Sequence, residues 1–163
     1  MSNVNFVKDL PFIPGYAAEL PMIVKQSVTQ KEASATVDVA TFNIPKGHFE
    51  PGTAFRVTMF GTKSGTTTAI VFTFILNGTT VLTLTSGTTA AEWECKAVIA
   101  SKAFAAQRVS GSIVVTAVDP VYDYAATTAD MTNGGVMKIV ATVASVDTGE
   151  VEYCLVEYLK GVD

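Results

Sequence analysis

The stretch from Thr66 to Thr85, TTTAIVFTFILNGTTVLTLT, leaves this chain little choice of fold class. Two β-branched and aromatic runs flank Asn77-Gly78, a pair that readily takes the positive φ angles of a two-residue type I′ hairpin turn. The two arms must then lie antiparallel. Alternation along a strand places Ile70, Phe72, Phe74 and Leu76 on one face and Val71, Thr73 and Ile75 on the other. Both faces are largely apolar, which predicts a hairpin in the interior of a sheet.

The same period of two recurs through most of the chain. Thr36, Asp38 and Ala40 alternate with Val37, Val39 and Thr41 in a strand that opens at Ala35 and closes at Phe42-Asn43-Ile44-Pro45. Turn formers fill 46–52, and a second strand is expected from about Thr53 to Phe60. Gly61-Thr62-Lys63-Ser64-Gly65 and Ser86-Gly87-Thr88 read as the loops on either side of the central hairpin. Next, Trp93, Cys95, Ala97 and Ile99 point one way and Glu92, Glu94 and Lys96 the other, the pattern of a strand with one wet face. Ala100 to Arg108 is the one stretch with helix-favouring composition and predicts a short helical turn. Ser112 to Val118 reads as strand, stopped by Asp119-Pro120, and Tyr122 to Thr128 as a short edge strand. Asn133-Gly134-Gly135 is a turn, and the final strands, Val136 to Ser145 and Val151 to Leu159, are joined across Asp147-Thr148-Gly149. The expectation is an all-β, antiparallel sandwich of about eight strands, with Phe72, Phe74, Leu76, Trp93, Ile99, Ile139 and Val143 in its core.

Residues 1–33 differ from this body, 34–163. Pro11, Pro14 and Pro21 argue against a regular helix there, so the segment is expected to form an extended arm. Phe6, Leu10, Phe12, Ile13, Tyr16, Leu20, Met22, Ile23 and Val24 make it too apolar to stay solvated, and it is expected to dock on a neighbouring subunit or partner.

Charge narrows the partners. Only 16% of the residues are charged while 48% are hydrophobic, so some apolar surface is expected to be covered by a partner. The net charge of −4, with Arg56 and Arg108 the only arginines, argues against nucleic-acid binding by phosphate neutralisation. No apolar run reaches the ~18 residues a membrane-spanning helix needs, and the first residues do not follow the pattern of a signal peptide, so a cytosolic chain is expected. Cys95 and Cys154 form no C-x-x-C pair and are expected to be buried free thiols.

The order of features from about residue 35 to 160 resembles the jelly-roll domains of virion structural proteins of tailed bacteriophages. The features are a strand closed by Ile44-Pro45-Lys46-Gly47, then Pro51-Gly52-Thr53-Ala54-Phe55-Arg56-Val57, a Thr-rich Gly loop, the FxxxLNGT hairpin, a Trp-bearing strand and a paired finish. The resemblance implies a jelly roll and an auxiliary role in a virion assembled in the host cytoplasm: capsid decoration, or a head or tail fibre. It also implies a homo-oligomer, commonly a trimer, docked to the major capsid protein or another virion protein.

Catalytic chemistry finds little purchase. His48, the one histidine, sits in a turn with no acidic residue that spacing would place behind it, and a Ser or Cys nucleophile needs base and orienter together. Zinc fails on the same shortage of His and paired Cys, and no phosphate-binding glycine motif is present, so no metal or other cofactor is expected. Asp119, Asp123 and Asp130 offer the oxygen ligands that Ca²⁺ takes, without the fixed spacing of a calcium loop. Glu92 with Glu94, and Glu150 with Glu152, each share a face at ~6.6 Å along a strand, a separation that glycosidases use but that also marks any wet strand face. The Asn77-Gly78-Thr79 sequon is already accounted for by the hairpin. The competing reading is a carbohydrate-binding module, in which Trp93 and tyrosines 16, 122, 124, 153 and 158 line a glycan face.

Overall fold

A computed structural model describes residues 22–26, 35–116, 120–143 and 147–160. They form ten strands: β1 Met22–Gln26, β2 Ala35–Ile44, β3 Ala54–Ser64, β4 Ile70–Leu76, β5 Thr79–Thr85, β6 Ala91–Ala103, β7 Ala106–Val115, β8 Val121–Thr127, β9 Gly135–Val143 and β10 Thr148–Leu159. Every strand pairing between them is antiparallel. One sheet has the order β1-β10-β3-β6-β7-β8 and the other β2-β9-β4-β5. The pairs β1·β10, β2·β9, β3·β6 and β4·β5 are nested in sequence and alternate between the sheets. Nested, alternating pairs are what results when one long hairpin is rolled up, so eight of the strands make a jelly roll. Strands β7 and β8 are a hairpin inserted between the third and second nested pairs, and they widen the first sheet beyond β6.

The central hairpin forms where expected. Asn77 (φ 44°) and Gly78 (φ 80°) make the turn, and Asn77 Nδ2 donates to the Asp130 carbonyl at 3.0 Å. Ile70, Phe72, Phe74 and Leu76 are all buried between the sheets, as are Trp93, Ile99, Ile139 and Val143. The hairpin is only half interior, however: β4 lies between β9 and β5, while β5 is an edge. That edge is sheltered by the curl of the other sheet, since β7 and β8 lie against β5. Gly111 permits the approach, for a Cβ there would sit 2.8 Å from both Leu82 Cδ2 and Leu84 Cδ1.

Several boundaries differ from the sequence reading. The glycine-rich 61–65 stretch is not a loop until its end: β3 runs through to Ser64, and only Gly65, at φ +79°, leaves the strand. Gly61 faces inward opposite Trp93, where its missing side chain makes room for the indole. The expected helical turn at 100–108 is instead the tight β6–β7 hairpin around Phe104 and Ala105, because cross-strand pairing overrides a weak local helix preference. In β2 a bulge between Asp38 and Ala40 breaks the alternation, so that Val39 and Ala40 are both buried. The last two strands do not pair, since β9 and β10 belong to opposite sheets. Of the expected arm, residues 22–26 form β1, a strand of the roll itself paired with β10; Phe6, Leu10, Phe12, Ile13, Tyr16 and Leu20 lie outside the described residues.

One end of the sandwich is filled by rings: Phe55 lies 5.5 Å from Phe42, 5.4 Å from Phe49 and 5.5 Å from Tyr158. The other end is closed by a buried ion pair, Lys63 with Asp147, exposed by 5% and 1%. Lys63 Nζ donates to the carbonyls of Gly65 at 2.5 Å and Thr88 at 2.8 Å and to Asp147 Oδ2 at 3.3 Å. The same carboxylate oxygen accepts from the Thr67 and Thr68 backbone N–H groups at 2.8 and 2.6 Å. These bonds hold the Asp147 carboxyl below the usual carboxylate range, the Thr68 amide most of all, against the opposing effect of burial. A folded value below the unfolded one means the stabilisation is complete above the unfolded value and is lost as pH falls through the folded one. The melting temperature is therefore expected to hold down to about pH 5 and to drop below about pH 4, with Asp147→Asn flattening that acid limb in a pH series of thermal melts.

Candidate functional surface

The residues singled out for chemistry do not converge. His48 is exposed in the turn before Phe49, 6.5 Å from the Tyr158 ring. Asp123 Oδ1 accepts from the backbone N–H of Tyr124, and Asp130 Oδ1 from that of Thr132, while Asp119 lies outside the described residues. Among the described residues no group of three His, Cys, Asp or Glu side chains is placed to hold a metal ion. Cys95 and Cys154 are buried thiols, both pushed up by desolvation, Cys154 to about 12. An aromatic disulfide reagent is expected to leave both untouched in the native protein and to titrate two thiols after unfolding, since only the thiolate attacks.

What the fold does assemble is the outward face of the six-stranded sheet. Strand register sorts its side chains into rows, and neighbours within a row touch because they share a face on adjacent strands. Glu150, Thr62 and Glu92 form the first row; Tyr153, Phe60, Glu94 and Val114 the second; Leu155, Thr58, Lys96, Ser112 and Tyr122 the third. Glu157, Arg56, Val98, Ser110 and Tyr124 form the fourth, and Leu159, Ala54, Ala100, Arg108 and Ala126 the fifth. Tyr122 and Tyr124 are 74% and 69% exposed and Phe60 is 43% exposed, the ring of Phe60 stacked on Tyr153 at 4.9 Å. Among the described residues two ion pairs lie within the face: Arg56 donates to both Glu157 oxygens, at 2.6 and 3.0 Å, and Lys96 reaches Glu94 at 2.9 Å.

A bulge at Val151–Tyr153 shapes one corner of this face. It sends Glu152 to join Glu92 and Glu94 around an open groove of about 440 Å³, walled by Phe60, Val114, Thr62 and Thr116. Glu150 instead borders a neighbouring recess with Ser64 and Thr148. Sequence reasoning found the two glutamate pairs but not their grouping, which depends on a bulge that leaves no mark in the alternation. Trp93, named for a glycan face, is 3% exposed and points into the core, its ring 4.7 Å from Phe72. Tyr158 packs on Phe55 at the end of the sandwich and Tyr16 lies outside the described residues, so among the described residues Tyr122, Tyr124 and Tyr153 are the tyrosines of the outward face.

The class that this architecture defines is an antiparallel jelly-roll sandwich carrying one added hairpin. No family model matches the sequence, and no curated protein matches it. Among solved structures the chain is similar to VP2 of the infectious bursal disease virus subviral particle, at 13% identity and a TM-score of 0.39, covering 93% of this chain and 37% of that one. It is similar to the T=1 particle protein of the same virus at 14% identity and a TM-score of 0.32, covering 94% and 44%. It is also similar to a legume lectin-like domain from Entamoeba histolytica at 9% identity and a TM-score of 0.35, covering 88% and 85%. The chain thus spans less than half the length of those two viral particle proteins. These likenesses assign it no activity.

Proposed function

We propose that the chain is a non-catalytic structural subunit of a virion, an auxiliary or decoration protein of a tailed-phage particle that acts by self-association and by docking to the shell. The observation that carries this reading is the jelly roll with its added hairpin, whose outward face presents Tyr122, Tyr124, Phe60 and Val114 to solvent. By fold-level analogy, double-sheet rolls of this kind serve as particle subunits and as lectins. Exposed rings and aliphatic side chains grouped on one face are found at contact surfaces. The apolar segment before β1 supplies attachment to the major capsid protein or another virion protein. Because β1 belongs to the roll, the deletion that tests attachment must stop at residue 21 and not at 33. Gold-labelled antibody against the chain is expected to decorate purified particles, and the form lacking residues 1–21 is expected to fold but not to bind them. Particles that carry none of the chain overturn the reading.

A second reading is favoured by the groove at the bulge. An aromatic wall, Phe60, beside carboxylates and threonine hydroxyls suits a neutral glycan, which stacks a sugar face on a ring and donates hydroxyls to acceptors. A glycan array with the parent and Phe60→Ala tests it: signal lost on substitution supports binding there, and a blank array removes it.

A further inference from the structure

We infer that the outward face of the six-stranded sheet is an isologous contact between two copies of this chain, packed face to face with their strands antiparallel. The inference rests on the self-association proposed above and adds the surface and its symmetry. Charge along the strands carries it. At one end of the face stand Glu92, Glu94 and Glu152, with Lys96 the cation near them among the described residues. At the other end stand Arg56 and Arg108, with Lys102 exposed in the bulge at Ser101–Ala103; among the described residues of these strands Glu157 is the carboxylate there, paired with Arg56.

A face with its negative charge at one end and its positive charge at the other repels a copy laid on it in the same sense. It attracts one turned end for end. A two-fold axis lying in the contact, perpendicular to the strands and between the row of Lys96 and the row of Val98, achieves this. It places Lys96 over Val98 of the second copy, Tyr122 over Tyr124, and Glu92 and Glu94 over the end that carries Lys102 and Arg108. The same residues then meet from both sides, as a two-fold contact requires.

Size agrees. Six strands spaced ~4.8 Å apart, about eight residues long at ~3.3 Å each, span on the order of 750 Å², close to the ~800 Å² per partner of a standard stable interface. Sheets facing at about −30° pack in this way when their side chains interdigitate, and the exposed Phe60, Val114, Tyr122 and Tyr124 supply side chains that can do so. Pairing through the free edge of β8 is the competing geometry. There Asp123 already occupies the Tyr124 backbone N–H at 2.7 Å, a charged side chain guarding the edge.

The test is a charge swap read by sedimentation equilibrium at micromolar concentration. The parent is expected at twice the monomer mass. Arg108→Glu and Glu92→Arg are each expected to weaken association at least tenfold with an unchanged far-ultraviolet circular dichroism spectrum, because each sets like charges against each other. Mixing the two variants is expected to restore a mixed dimer. A parent that stays monomeric overturns the inference together with self-association. An oligomer of any size that ignores both substitutions, or variants that do not recover on mixing, overturn the face assignment and leave self-association standing.

Discussion

Trp93→Ala is expected to destabilise the protein by about 3 to 5 kcal/mol, the range for a large aromatic removed from a core that cannot collapse around the void. The indole is 3% exposed, lies 4.7 Å from the Phe72 ring of the opposite sheet, and fills the space that Gly61 vacates. It therefore ties the two sheets together near the end that the Lys63–Asp147 pair closes. Among the described residues its buried Nε1–H has no hydrogen-bond partner, and Trp93→Phe, which keeps a ring in the space, is expected to cost clearly less than the alanine variant. Denaturant melts of both variants settle the matter; a loss below about 1 kcal/mol for Trp93→Ala would place the indole outside the core.

Gly61→Ala is the complementary experiment, adding one methyl to the same contact. A Cβ at this position would fall on the backbone carbonyl of Glu150 and within 2.8 Å of Trp93 Cζ2. Backbone cannot step aside as a flexible side chain can, so the strand pair β3·β10 has to shift next to its bulge. The expected loss is at the upper end of the ~1 to 3 kcal/mol typical of overpacking, from a substitution that in an ordinary strand would be neutral or favourable. Equal stability of Gly61→Ala and parent in the same melts would show that the two backbones do not approach as described. The double variant Gly61→Ala, Trp93→Phe is expected to lose less than the sum of the singles, because both act on one contact.

Hairpin and alternation were legible because they are local. Asn77-Gly78 states its turn through the φ angles those residues tolerate, and period two announces which side of a strand is dry. For the same reason the core residues named from alternation are buried, and the edge strand expected at Tyr122 to Thr128 forms as Val121–Thr127. Misreadings fell where a local signal had a tertiary cause. Gly61 reads as turn chemistry, yet it is a strand glycine that lets an indole approach; Ala100 to Arg108 reads as helix former, yet both halves pair across a tight hairpin. The bulges at Asp38–Ala40 and Val151–Tyr153 each shift the alternation by one residue, which no count of apolar positions shows in advance.

The candidate surface was legible only in pieces. Glu92, Glu94, Tyr122 and Tyr124 could each be assigned to a strand, but their meeting on one face depends on which strands become neighbours. Neighbours here are as distant in sequence as Glu157 and Arg56. By itself, then, the sequence determined the all-β class, the turn that starts the central hairpin and the side of each strand that is buried, since side-chain alternation and turn geometry are properties of a few consecutive residues. The tertiary structure alone decided the order of strands, the inclusion of residues 22–26 in the roll, the inserted hairpin and the opposed charge at the two ends of one face. Those follow from pairing between distant segments, where burial of the whole core, and not the preference of any segment, selects the partner.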